Sequence, residues 1–272
     1  PFMFHFQLLV FFLFGVGDFS IRIAPALLGS LMIACTYYLK DYLGKIGVIA
    51  VALLLTFSPT HLYFSRFMRH DIYIAFFTYT AVVFGLLYYR TRYKKYLYLT
   101  AASLSLMFCV KENAYIHTFI FVTFLCLKEF CQSCFFPITN YTEKFRYRLK
   151  SYWTSQCYAL IIAAFIFVWI YILLYSTFFT NPGGFLDGLY RKSLTYWWNQ
   201  HSIQRIKGPF HYYIPFIFLY ELPVFLIAVG GILCCIGRIL HQIANTLNKK
   251  IVIGWATIFS VYLMLHVGHR AL

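Results

Sequence analysis

Charged side chains are scarce in this sequence. They make up 11% of its 272 residues, whereas a soluble domain carries about 25%, so too few are available to cover a water-exposed surface. Hydrophobic residues reach 61% and aromatic residues 22%. This balance excludes a soluble enzyme, a secreted disulfide-rich domain, a disordered chain and a coiled coil. It predicts an all-α, polytopic integral membrane protein with about eight to nine transmembrane or juxtamembrane helices.

Acidic residues are few. Asp and Glu number 8 against 23 Lys and Arg, which gives a net charge of +15. The basic residues lie between apolar runs and form no continuous patch, so we expect no nucleic-acid partner. Bases in this arrangement are typical of loops that flank membrane helices. The expected surroundings of the chain are therefore membrane lipid.

Paired cysteine motifs are also lacking. The 8 cysteines lie mostly in apolar runs, where Cys behaves as a small hydrophobic residue. Cys131 and Cys134 have a CxxC spacing, but no second pair or nearby His completes a zinc site. We therefore predict no disulfide framework, no cofactor and no metal site. A divalent metal is compatible with the sequence but is not indicated by it.

Apolar runs separated by charges predict the membrane helices, which cover approximately 22–39, 46–64, 72–89, 96–110, 114–127, 156–179, 214–236 and 251–268. Residues 2–16 are too few to cross a core of about 30 Å, so we place them at the interface or in a shorter span. Lys111-Glu112-Asn113 separates two short runs. We interpret these runs as a helical hairpin, because one continuous helix would be too long.

The positions of the bases predict which loops face the cytoplasm. With the hairpin, the basic loops around 40–45, 90–95, 128–152 and 238–250 lie on one side, which the positive-inside rule makes cytoplasmic. The outer side receives 17–22, 59–71, 111–113 and 180–213. We expect residues 1–272 to form a single membrane-embedded domain, with 180–213 as an outer loop. No internal repeat is apparent.

The segment before the helix at 72–89 is the first candidate site. If this segment is helical, Arg66 and Arg69 lie on one face at a spacing of three residues and clamp a phosphate together. Asp71 stands directly before the apolar run. The alternative is that Asp71 caps the following helix while the arginines reach toward lipid headgroups.

Lys111 and Glu112 form the second candidate site, because they interrupt an apolar stretch. An unpaired charge within the membrane costs at least about 2.5 kcal/mol. A Lys–Glu pair that faces a water-filled cavity reduces this cost. The alternative is an ion pair with a structural role alone.

The third candidate site is rich in aromatic and polar residues and runs from Tyr196 to Tyr213. Its tryptophans are typical of the aromatic belt at a membrane–water interface, but such a belt does not explain the polar residues between them. Aromatic faces beside amide, imidazole and guanidinium groups suit a sugar or a phosphate. The candidate binding residues are His201, Arg205, His211 and Tyr212. Glu221 lies in the next apolar run, and we expect one of the nearby bases to be its partner.

Several stretches in order make the chain similar to the membrane glycosyltransferases of the C-type superfamily, which includes protein O-mannosyltransferases and lipid A aminoarabinose transferases. In particular, it resembles the prokaryotic family called flippase activity-associated proteins. The stretches that carry the resemblance are 1–15, 18–22, 25–29, 65–71, 111–115, 200–213 and 220–223.

This resemblance implies an inverting glycosyltransferase of the prokaryotic cytoplasmic membrane, with its active face extracytoplasmic. The implied donor is a polyprenyl-phosphate-linked sugar, and the acceptor, a glycan or a protein, is not specified. The family's principal catalytic acid belongs to a first outer loop that would precede Pro1. We therefore expect the chain to be an internal fragment without its N-terminal helix and first outer loop, and to be inactive by itself.

The resemblance also implies roles for the candidate residues. Arg66, Arg69 and Arg205 would bind the lipid phosphate, and Asp71 and Glu112 would support catalysis by orienting the bases or the sugar. The remaining substrate-binding candidates are Lys111, His201, His211, Tyr212 and Glu221.

Two other functions compete with the glycosyltransferase interpretation. A transporter or flippase component for lipid-linked sugars would have paired broken helices in corresponding halves, and only the interruption at 111–113 is apparent. A non-catalytic membrane scaffold would not need acids and bases clustered on one side of the membrane.

Overall fold

The structure is a computed structural model that describes residues 1–135, 141–191, 195, 198–199 and 212–243. All regular elements within these ranges are helical, so the predicted all-α fold is confirmed. The apolar run predicted at 251–268 lies outside the described residues.

Among the residues that the structure describes, four helical stretches are long and apolar enough to cross a membrane, namely Asp18–Phe57, His70–Thr91, Gln156–Tyr175 and Ile214–Cys234. Two further helical stretches, Phe2–Phe14 and Ala114–Leu127, are apolar but shorter. The chain is therefore a polytopic integral membrane protein, as its composition predicts.

In chain order, the helices are α1 (Phe2–Phe14), α2 (Asp18–Cys35), α3 (Lys40–Phe57), α4 (Pro59–Phe64), α5 (His70–Thr91), α6 (Lys94–Phe108), α7 (Ala114–Phe135), α8 (Tyr141–Tyr175) and α9 (Tyr213–Ile243). A 3₁₀ turn at Thr36–Leu39 joins α2 to α3, and short helical turns occupy Gly184–Leu186 and Asp187–Arg191. The chain divides into two compact units, residues 1–5 with 77–202 and residues 6–76 with 203–272.

The long stretch Asp18–Phe57 is interrupted at Gly44. This residue has φ +73° and ψ 174°, a conformation that glycine adopts without the steric cost that a Cβ would add. The interruption falls between the two predicted runs 22–39 and 46–64. The second run is shorter than predicted, because α3 ends at Phe57. Ser58 precedes a proline and takes an extended ψ of 119°, as residues before proline commonly do.

In the unit formed by residues 1–5 and 77–202, α8 packs against α6. Ala159 and Ala163 are buried one helical turn apart on α8, and such small residues let membrane helices approach closely. Ser105 on α6 donates its hydroxyl to the Phe167 carbonyl at 2.8 Å. Between residues 156 and 175, large apolar side chains of α8 are exposed, among them Ile161, Phe165 and Trp169. These residues suit a lipid-facing surface.

The helix break predicted around 111–113 is present. Helix α6 ends at Phe108 and α7 begins at Ala114. The predicted loop at 128–152, however, is largely helical, since α7 continues to Phe135 and α8 begins at Tyr141. Lys, Arg and Glu are strong helix formers, so a basic segment outside the membrane does not need to leave the helical conformation.

Candidate functional site

The first candidate site is built on the short helix α4. Ser58 caps its N-terminus, with Pro59 at the first helical position, and the Ser58 hydroxyl accepts a hydrogen bond from the His61 N–H at 3.1 Å. Serine at the cap and proline at the first position are both favoured at helix starts. The Ser-Pro pair is therefore a sequence signal for the start of α4 that the prediction of one continuous run to residue 64 overlooked.

Glu221 contacts this N-terminus from α9. One oxygen of its carboxylate, Oε1, accepts hydrogen bonds from the Ser58 hydroxyl at 2.5 Å and from the Thr60 N–H at 3.1 Å. The Glu221 side chain is buried. The basic partners that the sequence suggested for it belong to a segment that is mostly outside the described residues. The hydrogen bonds to Ser58 and Thr60 were not predicted.

Helix α2 passes close to the C-terminal end of α4 at Gly29. A Cβ atom on Gly29 would overlap the Ser65 hydroxyl and would lie 2.9 Å from the Ser65 Cβ and 3.5 Å from the His61 ring. Only glycine therefore fits here without a shift of the neighbouring side chains. The Ser65 hydroxyl in turn donates to the His61 carbonyl at 2.7 Å. These contacts hold the end of α4 against α2.

Arg66 and Arg69 follow α4 in a non-helical turn. Because α4 ends at Phe64 and α5 begins at His70, the segment is not helical, and the condition for a shared helical face of the two arginines is not met. Their joint binding of a phosphate stays a prediction. The turn is closed by backbone hydrogen bonds, including Arg69 N–H to the Phe67 carbonyl at 2.8 Å. Both arginines are nevertheless exposed.

The orientation of Arg69 depends on Asp71. The Arg69 Nε lies 3.3 Å from Asp71 Oδ2, and the side chains of Arg69 and Asp71 are 46% and 7% exposed, respectively. The guanidinium also lies 5.8 Å from the centre of the Phe64 ring, within the range of a cation–π interaction. Asp71 therefore holds the Nε edge of the guanidinium, while nearly half of the Arg69 side chain stays exposed.

His61 is half-buried and adds to the site an imidazole whose two ring nitrogens are buried. No sequence motif pointed to this residue. Neither of its ring nitrogens makes a hydrogen bond of ordinary geometry in the described part of the chain, although the Leu55 backbone lies near enough to favour the protonated ring. Burial lowers the pKa of His61 below its ordinary value, while the negative charge of Glu221 opposes this shift. Burial dominates, so the neutral imidazole is favoured.

The second candidate site lies in the other unit, at the connection between α6 and α7. Lys111 and Glu112 are half-buried, and Asn113 is fully buried. The Asn113 carbonyl accepts the His117 N–H at 3.1 Å, which joins the connection to the first turn of α7. Whether Lys111 and Glu112 act on a substrate stays a prediction.

His117 was also missed by the sequence analysis. Its Nδ1 lies 2.8 Å from the Thr78 hydroxyl, which donates to the Met107 sulfur at 3.2 Å. An ionisable residue within an apolar run is a signal for a buried polar cluster.

The third candidate site is described only in part. His201, Arg205 and His211 lie outside the described residues, so their predicted roles stay predictions. Tyr212 is half-buried, and its ring centre lies 5.1 Å from that of Phe216. Within the described residues, no group of three or more His, Cys, Asp or Glu side chains is arranged to hold a metal ion.

The apolar spanning helices define a polytopic membrane protein, in which the exposed Arg69 pairs with the buried Asp71. The family model described as dolichyl-phosphate-mannose-protein mannosyltransferase matches residues 1–172. The chain therefore belongs to this family of membrane glycosyltransferases, and the predicted resemblance to protein O-mannosyltransferases is confirmed. Membership implies a lipid-linked sugar as the donor. No curated protein and no solved structure matches the chain.

Proposed function

We propose that the protein transfers a sugar from a polyprenyl-phosphate donor to an acceptor on the extracytoplasmic face of a prokaryotic cytoplasmic membrane. Family membership supports glycosyl transfer. The observation that carries the donor class is the geometry of Arg69, whose Nε pairs with the nearly buried Asp71 at 3.3 Å. A guanidinium held in this way presents its two Nη groups in a planar fork, which matches the oxygens of a phosphate.

In the proposed reaction, the bond between the anomeric carbon and the phosphate oxygen breaks, and the acceptor oxygen bonds to that carbon. The departing electron pair leaves with the lipid phosphate, whose growing negative charge is stabilised by Arg66 and Arg69. Arg205 is proposed as a third cation at this phosphate. The acceptor proton passes to a carboxylate, which the family resemblance assigns to the first outer loop.

The other candidate residues have supporting roles in this proposal. Asp71 orients Arg69 rather than reacting itself, and Lys111 and Glu112 form part of the polar surroundings of the sugar. His201, His211 and Tyr212 shape the pocket for the sugar or the acceptor. The extracytoplasmic location of the reaction rests on the basic loops, which the positive-inside rule places in the cytoplasm.

The test is donor binding to purified protein in lipid nanodiscs, with radiolabelled dolichyl-phosphate mannose as the probe. A charge-assisted hydrogen bond contributes about 1.5–3 kcal/mol, so Arg69→Ala is expected to weaken binding by about 10- to 150-fold. Arg69→Lys is expected to recover part of the loss, because a point charge does not reproduce the fork.

The matched control is Arg90→Ala, which removes an exposed arginine from the end of α5 on the predicted cytoplasmic side. Its donor affinity is expected to equal that of the wild type. Equal affinity of Arg69→Ala and wild type, in protein that unfolds at the same temperature, would contradict the donor assignment. Donor binding without transfer to any acceptor by the complete protein would favour a transporter component.

A further inference from the structure

Helix α9 is broken at Glu221. This residue has φ −130° and ψ 31° within an otherwise helical run, and Pro223 follows two positions later. Proline has no N–H to continue the helical hydrogen bonds, so breaks near it are expected. The break places a carboxylate within the apolar stretch Ile214–Cys234. A buried carboxylate is costly unless its oxygens accept hydrogen bonds.

The hydrogen bonds of Glu221 complete the N-terminus of α4. The first N–H groups of a helix have no partner within the helix, and here each is accounted for. Pro59 has no N–H group. The Thr60 N–H donates to Glu221 Oε1 at 3.1 Å, and the His61 N–H donates to the Ser58 hydroxyl at 3.1 Å. The Ser58 hydroxyl donates onward to Glu221 at 2.5 Å. The carboxylate also lies at the positive end of the helix dipole.

Helix α4 depends on such contacts because it has only 6 residues. Helices this short are not stable in isolation, since too few hydrogen bonds form after nucleation. The arginine turn begins directly after α4, and the Arg66 N–H donates to the Tyr63 carbonyl at 3.1 Å. A shift of α4 therefore moves the backbone that carries Arg66 and Arg69.

We propose that Glu221 is a positioning residue, which acts through α4 to hold the Arg66–Arg69 turn in the geometry that binds the donor phosphate. Ser58 is the link, because its hydroxyl bonds both to Glu221 and to the first turn of α4. Glu221 does not contact the donor in this proposal. The inference rests on the proposed function, since it assigns a purpose to the turn.

The first test needs neither donor nor activity. Hydrogen–deuterium exchange of the peptide that spans 58–66 reports the protection of the Thr60 and His61 amides. Glu221→Ala is expected to speed this exchange by about tenfold or more, because it removes a charged hydrogen-bond acceptor. Glu221→Gln is expected to stay near wild type, because its amide oxygen still accepts both hydrogen bonds. Leu222→Ala, an exposed neighbour at the same break, is the matched control and should not change the exchange.

The second test measures the affinity for dolichyl-phosphate mannose in the same variants. Glu221→Ala is expected to weaken binding by about tenfold, and Glu221→Gln is expected to restore most of it. Ser58→Ala should weaken binding as well, and the double variant should be no worse than Glu221→Ala, because both changes interrupt one connection. A purely structural role would reduce the yield of folded protein and leave the affinity of the folded fraction unchanged.

The outcomes separate the two proposals. If hydrogen–deuterium exchange at 58–66 is unchanged in Glu221→Ala, the positioning role is overturned, whatever the donor affinity of this variant. The positioning role would also be overturned if the fold-losses of donor affinity from Ser58→Ala and Glu221→Ala multiplied in the double variant. Such independent effects would indicate that Glu221 touches the donor directly. If Glu221→Ala speeds exchange but neither it nor Arg69→Ala alters donor binding, the proposed function itself fails.

Discussion

Gly29 lies where α2 meets the turn after α4, and its replacement by alanine tests the packing that holds α4. The added Cβ would overlap the Ser65 hydroxyl and lie 2.9 Å from the Ser65 Cβ, about 0.6 Å inside the shortest favourable carbon–carbon distance of ~3.5 Å. The Ser65 Cβ is attached to the backbone, so rotation of the side chain does not relieve the contact. Overpacking of this kind costs about 1–3 kcal/mol.

Alanine has a better helix propensity than glycine, which offsets about 0.5–1 kcal/mol of this cost. We therefore expect Gly29→Ala to reduce the free energy of unfolding by about 1 kcal/mol, which lowers the unfolding temperature by a few degrees. The assay is thermal unfolding of purified protein in one detergent, followed through a thiol-reactive dye.

Gly230→Ala is the matched control, because Gly230 lies in α9 with no atom within 4 Å of an added Cβ. This control should be as stable as wild type or slightly more stable. Ser65→Gly should be less harmful in the Gly29→Ala background than in the wild type, since it removes the overlapping atoms. A Gly29→Ala protein with the stability of the Gly230→Ala protein would refute the close packing of α2 on this turn.

Three further predictions concern a buried hydrogen bond, a buried imidazole and the membrane topology. Thr78→Val should reduce the free energy of unfolding by about 1–3 kcal/mol, because the His117 imidazole loses its hydrogen bond to the Thr78 hydroxyl. The loss should exceed that of Thr80→Val, whose hydroxyl donates within its own helix, and equal losses in thermal unfolding would contradict this. Because burial lowers the pKa of His61, the unfolded chain binds more protons as the pH falls below about 6.5, so stability is lost on acidification. The fall in unfolding temperature between about pH 7.5 and 5.5 should therefore be smaller in His61→Gln than in wild type, and an equal fall would count against the shift. In a cysteine-free background, an impermeant maleimide should label Tyr190→Cys from outside and Tyr93→Cys only after permeabilisation, and the reverse pattern would overturn the topology.

The membrane class and the main helix breaks could be predicted from the sequence, because they depend on local properties. Composition alone requires lipid surroundings, since 11% charged residues do not cover a soluble protein. The break at 111–113 follows from charges that interrupt an apolar run. The end of α3 before Pro59 is equally local, because a proline acts on the residue next to it, although the predicted run 46–64 passed over this signal. The family resemblance was also readable, since short motifs occur in the same order along the chain.

The partners within the candidate site were decided only by the tertiary structure. Glu221 stands out in the sequence as an acid in an apolar run, but its partner Ser58 is 163 residues away. The shared helical face of Arg66 and Arg69 does not form, because α4 ends at Phe64. Periodicity describes only what neighbouring residues prefer, whereas the pairing of a buried carboxylate depends on which helices pack together. In this protein the packing brings the break in α9 to the first turn of α4, where unpaired N–H groups stabilise the charge.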